Sequence, residues 1–193
     1  MLGLILCGGQ SSRMGTDKGM LKIQDATWAQ TAVEKMSALN LKTVLSVNDT
    51  QYKNYAAFFS AEQLVKDSDL IDVKGPLHGL LSVHLKYPAE DLFVLACDMP
   101  LMEATILKQL MSYYEKQTAA AYVYTNDGEQ EPLCAIYKAA ALAYVLQQLQ
   151  TNQLAKYSMK YVLGLVNTFS VPLADDQKKC FRNCNAQADL YGL

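Results

Sequence analysis

Apolar runs of strand length alternate along this chain with stretches in which apolar residues recur every three or four positions. Residues 2–7 read as a first strand, apolar without interruption until Gly8-Gly9. Residues 19–23 suggest a short strand leaving the loop that follows. A helix is expected over 27–39, where Trp28, Ala32, Met36 and Leu39 keep helical spacing and Thr27 can cap it. Residues 43–47 form the next strand and end at Asn48-Asp49. A short helical or irregular piece covers 52–59, and 63–66 make a short strand ending at Asp67. Pro76 suits the first turn of a helix whose buried face is Leu77, Leu80, Leu81 and Leu85. Residues 92–97 are continuously apolar, as a central parallel strand requires, and run into Asp98-Met99-Pro100. Ile106, Leu107, Leu110, Met111 and Tyr114 keep register for a helix over 103–116. Strands are expected at 119–124 and 133–137 around the turn signal Asn126-Asp127-Gly128. Helices at 139–150 and 155–163 and a strand at 165–171 complete the pattern. The alternation predicts an α/β fold with a mostly parallel sheet, in one domain over 1–193 without repeat or linker.

Composition narrows the function classes. Of 193 residues, 51% are hydrophobic and 19% charged, as in a soluble globular domain. The net charge of −2 provides no basic field for nucleic acid. The first apolar run is too short for a membrane span or signal peptide, so a cytoplasmic protein is expected. Five cysteines, at 7, 97, 134, 180 and 184, are an odd set that argues for reduced thiols. Cys7 and Cys97, each closing an apolar run, read as buried small hydrophobes.

The chemistry concentrates in residues 4–18, Leu-Ile-Leu-Cys-Gly-Gly-Gln-Ser-Ser-Arg-Met-Gly-Thr-Asp-Lys. Gly8 and Gly9 let a backbone approach a ligand with no Cβ in the way. Successive free N–H groups in such a turn make a concave anion site. Arg13 and Lys18 can reach the same anion, one as a fork and the other as a point charge. A polyphosphate site at the carboxyl end of the first strand follows, where open α/β sheets bind ligands. Neither the ATPase P-loop spacing nor the dinucleotide fingerprint is present. Asp98, directly after the most apolar strand, is expected at the same edge. A carboxylate there can hold Mg²⁺, which takes few protein ligands and prefers phosphate oxygens besides; the alternative, less favoured by its edge position, is a cap on the following helix. Asp67 ends another strand at that edge, either as a ligand contact or within a solvated acidic loop.

Leu6, Gly8, Gly9, Ser11, Arg13, Met14, Gly15, Asp17 and Lys18 match, without interruption, the nucleotidyltransferase signature L-x-G-G-x-S-x-R-M-G-x-D-K. Within that superfamily the chain resembles the molybdenum cofactor guanylyltransferase (MobA) family. Cys97-Asp98-Met99-Pro100 is similar to the family's C-D-x-P segment, whose Asp binds Mg²⁺. Asp67 matches the Asp that contacts bound GTP. Gly75-Pro76-Leu77-x-Gly79 is similar to G-P-L-x-G, and its plain reading is a helix start opening on the cleft, with Gly79 permitting close packing. Asn48 resembles the Asn of a strand-end S-x-N segment lining the guanine or ribose pocket; a turn asparagine is the alternative. Asn183 and Asn185 resemble an N-x-N facing the acceptor, although Ala186-Gln187 replaces the usual Thr-Pro. Glu131-Pro132-Leu133 also resembles a family segment.

The resemblance implies a three-layer Rossmann-like nucleotidyltransferase fold. It implies a nucleotide-binding half over 1–100, with Leu6, Cys7, Gly8, Gly9, Gly15, Lys18, Asn48, Asp67 and Asp98 as nucleotide contacts. An acceptor half would cover 101–193, and Gly75, Pro76, Gly79, Asn183 and Asn185 would face the acceptor. Arg13, Lys18 and Asp98 would be the catalytic groups and Mg²⁺ the cofactor. The implied reaction transfers GMP from GTP to molybdopterin and releases pyrophosphate, with other cofactor-biosynthesis proteins as possible partners and neither nucleic acid nor membrane. A cytidylyltransferase or another nucleotidyltransferase of a pterin, sugar or alcohol phosphate stays open, as does a nucleotide-binding subunit without turnover.

Overall fold

Seven strands build one sheet. The computed structural model describes residues 1–7 and 17–184. The strands are β1 (Leu2–Leu6), β4 (Thr43–Val47), β5 (Leu64–Lys66), β6 (Leu92–Ala96), β7 (Ala121–Asn126), β8 (Glu129–Tyr137) and β9 (Thr168–Pro172), in the order β5-β4-β1-β6-β8-β7-β9. All pairings are parallel except those of β8, which runs against both β6 and β7. The two-residue strands β2 (Lys22–Ile23) and β3 (Ala26–Thr27) form a separate hairpin. The expectation of a strand over 19–23 is therefore corrected in part. Lys18–Met20 is a 3-10 turn, capped by the Asp17 carboxylate accepting from the Gly19 N–H, and only Lys22–Ile23 is extended.

Helices α1 (Trp28–Ser37), α2 (Asp49–Tyr55), α3 (Pro76–Lys86), α4 (Ala104–Lys116), α5 (Ala139–Gln150) and α6 (Met159–Leu165) flank the sheet. The strand period of two sends alternate side chains to opposite faces. Ile5, Leu45, Phe93 and Leu95 join the core with Met36 of α1, Tyr55 of α2 and Leu107 of α4. Leu4, Val44 and Val94 join the other core with Leu77 and Leu80 of α3, Leu142 of α5 and Val162 of α6. Three layers result, as expected. Among the described residues no helix is long and apolar enough to cross a membrane. All five cysteines are buried free thiols.

Local chemistry sets the boundaries. Thr27 and Gln30 form a capping box on α1, and Asn48 and Gln51 do the same on α2. The second box starts α2 at Asp49, earlier than the apolar pattern over 52–59 indicates. The turn between β7 and β8 has Asp127 and Gly128 at φ 51° and 84°, with Asn126 paired to Glu129. That is the two-residue hairpin geometry which favours Asp-Gly. Strand β8 reaches back to Glu129, beyond the expected 133, and its register against β7 shifts between Val123 and Thr125. Pro132 falls within that irregularity, where a residue without an N–H is tolerated.

Candidate functional site

Strands β5, β4, β1 and β6 are mutually parallel, so their carboxyl ends share one edge. Cys7 and Cys97 follow adjacent strands there, and the Cys97 N–H donates to the Leu6 carbonyl at 3.2 Å. Both thiols lie in the same core, and the hydrogen bond with Cys7, then burial, raise the Cys97 thiol well above its ordinary value. They are packing groups, as the apolar runs imply.

Asp98 stands at this edge beside Lys18, whose Nζ lies 3.5 Å from Asp98 Oδ2. Both side chains are partly buried. Asp98 does not cap the next helix: α4 begins at Ala104 with Glu103 at its cap position. Its other oxygen, Oδ1, is buried and has no hydrogen-bond partner among the described residues. A buried carboxylate oxygen left unpaired is costly. A hard dication that accepts oxygen ligands suits this atom, and Mg²⁺ commonly uses one or two carboxylates with phosphate oxygens. Among the described residues no group of three or more His, Cys, Asp or Glu side chains gathers to form a cage. One carboxylate with an unengaged oxygen fits a metal held otherwise by a substrate's phosphate oxygens.

Lys35 of α1, absent from the sequence expectations, donates to the Pro100 carbonyl at 2.5 Å and so holds the segment after Asp98. Burial lowers its ammonium to about 8. The folded state then releases this proton between about 8 and 10.5 while the unfolded chain retains it, so stability attributable to Lys35 rises with pH across that window. Relative to wild type, Lys35→Met should lose that rise between pH 8 and 9.5 in urea midpoints. Parallel curves would remove Lys35 from the titrating set.

Asp67 ends β5, three strand spacings or about 14 Å from the end of β6. Its Oδ1 accepts from the buried Ser46 hydroxyl at 2.7 Å, a fixed carboxylate rather than a solvated one. Asp67 and Ser68 also line a groove of about 710 Å³ with Asp49, Lys66 and Ser82. Asn48 is exposed at the end of β4, and its Oδ1 is committed to the Gln51 N–H in the α2 cap. The turn-type reading describes its carbonyl, and only its amide nitrogen is left to offer a ligand.

Gly75 caps α3 at φ 78°, a left-handed conformation that favours glycine, and Pro76 follows at the first turn. A Cβ at Gly79 would overlap the Ser46 hydroxyl and press on Leu6 Cδ2 at 3.0 Å. Gly79 thus lets α3 pack on the ends of β1 and β4, as its spacing suggests. Asn183 is exposed, and its neighbour Cys184 donates its N–H to the Asp98 carbonyl at 3.0 Å. The C-terminal segment therefore reaches the Asp98 turn. Gly8, Gly9, Arg13, Gly15 and Asn185 lie outside the described residues.

The comparisons with known proteins agree with this arrangement. A family model described as MobA-like NTP transferase domain matches residues 3–163. A molybdenum cofactor guanylyltransferase of Campylobacter jejuni (strain 81116) is 30% identical over 150 residues, covering 78% of this chain and 75% of its own. A probable molybdenum cofactor guanylyltransferase of Flavobacterium johnsoniae is 27% identical over 189 residues, covering 98% and 94%. Among solved structures, molybdopterin-guanine dinucleotide biosynthesis protein A of Archaeoglobus fulgidus superposes with a TM-score of 0.78 at 22% identity, covering 98% and 94%. A family match across most of the chain, over a sheet whose edge brings Lys18 to Asp98, places this chain in the MobA-like nucleotidyltransferases.

Proposed function

We propose that this enzyme transfers GMP from GTP to molybdopterin, forming a molybdopterin guanine dinucleotide and releasing pyrophosphate. The observation that carries the reading is the Lys18–Asp98 pair with its unpartnered buried oxygen at the carboxyl edge of the sheet. The relatives' names support the guanylyl and molybdopterin part of the reading.

In this reading residues 1–100 hold the nucleotide and 101–193 face the acceptor. The base and ribose lie toward Asn48 and Asp67, and the phosphates toward Lys18 with Arg13, on Gly8, Gly9 and Gly15. Leu6 and Cys7 end the strand beneath them; the Leu6 carbonyl is engaged by the Cys97 N–H and that of Cys7 by Gln51, so each has only a second lone pair for a guanine N–H group. Gly75 and Pro76, reaching over from the nucleotide half, bound the acceptor side with Asn183 and Asn185, while Gly79 seats α3 against β1 and β4. A terminal phosphate oxygen of molybdopterin bonds to the α-phosphorus, and the bond from that phosphorus to the bridging oxygen breaks. Pyrophosphate leaves with the electron pair. Lys18 neutralises phosphate charge, and Asp98 would hold Mg²⁺. Bound there, Mg²⁺ supplies charge neutralisation to the phosphate oxygens. No covalent intermediate with a side chain is needed, since positioning and electrostatics supply most of the acceleration in such transfers.

Thermal unfolding with Mg²⁺ and each of GTP, CTP, ATP and UTP tests the reading, because a ligand of the folded state raises the midpoint. A rise with GTP alone, followed by pyrophosphate release on adding molybdopterin, is expected. A rise with CTP would replace guanylyl by cytidylyl transfer. Binding of GTP without pyrophosphate release would make the chain a nucleotide-binding subunit.

A further inference from the structure

Helix α2 presents Gln51 and Tyr55 one turn apart, hence on one face. Gln51 Nε2 donates to the Cys7 carbonyl at 2.8 Å, at the end of β1. The Tyr55 hydroxyl donates to Asp17 Oδ1 at 3.1 Å. Cys7 and Asp17 are the described residues on either side of the Gly-rich stretch, so one helix face holds the chain where it enters and where it leaves. Both holding side chains are buried, Gln51 at 6% exposure and Tyr55 at 0%.

Each contact is oriented by a second one. The Gln51 Oε1 accepts the Asn48 N–H at 3.0 Å, which turns its amide nitrogen toward Cys7. Asn48 is the residue proposed for the nucleoside end, so the same amide joins that cap to β1. Asp17 Oδ1 also accepts the Gly19 N–H at 3.0 Å, closing the turn that carries Lys18. A Cβ at Gly19 would overlap the Tyr55 hydroxyl, so only a glycine lets this turn sit against α2. Tyr55 is further fixed by stacking on Phe59, with ring centroids 5.9 Å apart.

We propose that Gln51 and Tyr55 are positioning residues for nucleotidyl transfer. From one face of α2 they set where β1 ends and where Lys18 stands relative to Asp98, which ties the nucleoside end of the site to its phosphate end. The inference rests on the nucleotide reading above for its effect on GTP.

Two conservative variants separate positioning from packing. Tyr55→Phe keeps the buried ring and deletes the hydroxyl that donates to Asp17 and lies against the Cys7 thiol. Gln51→Glu keeps an acceptor for the Asn48 cap and deletes the donor to Cys7. Each should lower kcat/KM for GTP about tenfold, mostly through KM, as loss of one aligned hydrogen bond implies. The Gln51→Glu deficit should shrink as pH is lowered, because a protonated carboxyl again donates to the Cys7 carbonyl; a packing defect has no such recovery. Without nucleotide, amide exchange at Gly19 should quicken about tenfold in Tyr55→Phe while amides of β1 and β4 stay at wild-type rates. Unchanged Gly19 exchange together with wild-type KM in both variants would overturn the inference. Should wild type show no thermal shift with any nucleotide, the nucleotide reading falls, and Gly19 exchange alone still decides whether α2 holds the Lys18 turn.

Discussion

Asp98→Asn is expected to cut turnover on the order of 10²–10³-fold, the usual cost of one misplaced electrostatic group at a phosphoryl-transfer centre. The substitution preserves shape and one oxygen. It removes the negative charge that faces Lys18 at 3.5 Å and the anionic character of the buried oxygen. The α4 cap should not change, because that helix starts at Ala104 with Glu103, not Asp98, at its cap position. Folding stability should therefore stay near wild type while the Mg²⁺ requirement shifts to higher concentration. The check is a Mg²⁺ titration of pyrophosphate release beside a thermal melt. An unshifted titration midpoint would remove Asp98 from metal binding; a large drop in melting temperature would make its role structural.

Lys18→Ala is expected to weaken GTP binding and to lower turnover by about 10²-fold, since a cation beside the phosphates is lost. It should also have an opposite effect in the nucleotide-free protein. Removing a positive charge 3.5 Å from Asp98 leaves that carboxylate a better cation ligand. Because the pair is partly exposed, the gain is limited to about 1 kcal/mol, or roughly fivefold in Mn²⁺ affinity. The two affinities, for Mn²⁺ without nucleotide and for GTP, should move in opposite directions. Parallel losses in both would mean that the variant has disturbed the edge of the sheet as a whole.

Much of this architecture is legible in the sequence. The apolar runs at β1, β4 and β6 are dictated by burial on both faces, and each ends where a polar residue meets the sheet edge. From that edge, Asp98 and Asp67 could be placed near the start of the Gly-rich stretch. What periodicity does not encode is the strand order. Nothing in residues 129–133 announces that β8 continues back to Glu129, because its polar start faces no uniform core and Pro132 interrupts the alternation. Contacts across long stretches of chain were also hidden. Lys35 reaching Pro100, Ser46 holding Asp67 and Tyr55 holding Asp17 depend on how elements dock. One signal was available for Gln51: Asn48-x-x-Gln51 is a capping box, and an amide engaged at a cap can aim its other end at a neighbour.

The early strand β1 lies in the middle of the sheet. Its register is set by residues 43–46 on one side and 92–96 on the other. A nascent chain therefore carries its signature segment for a long interval with the β6 flank of β1 unpaired. Closing β1 against β6 is a non-local step, of the kind that slows folding and leaves strand edges open to wrong partners. The meeting of Lys18 and Asp98 waits on that same step. Assembly of the proposed site thus comes late, and a chain released before Asp98 has emerged lacks the partner that Lys18 meets.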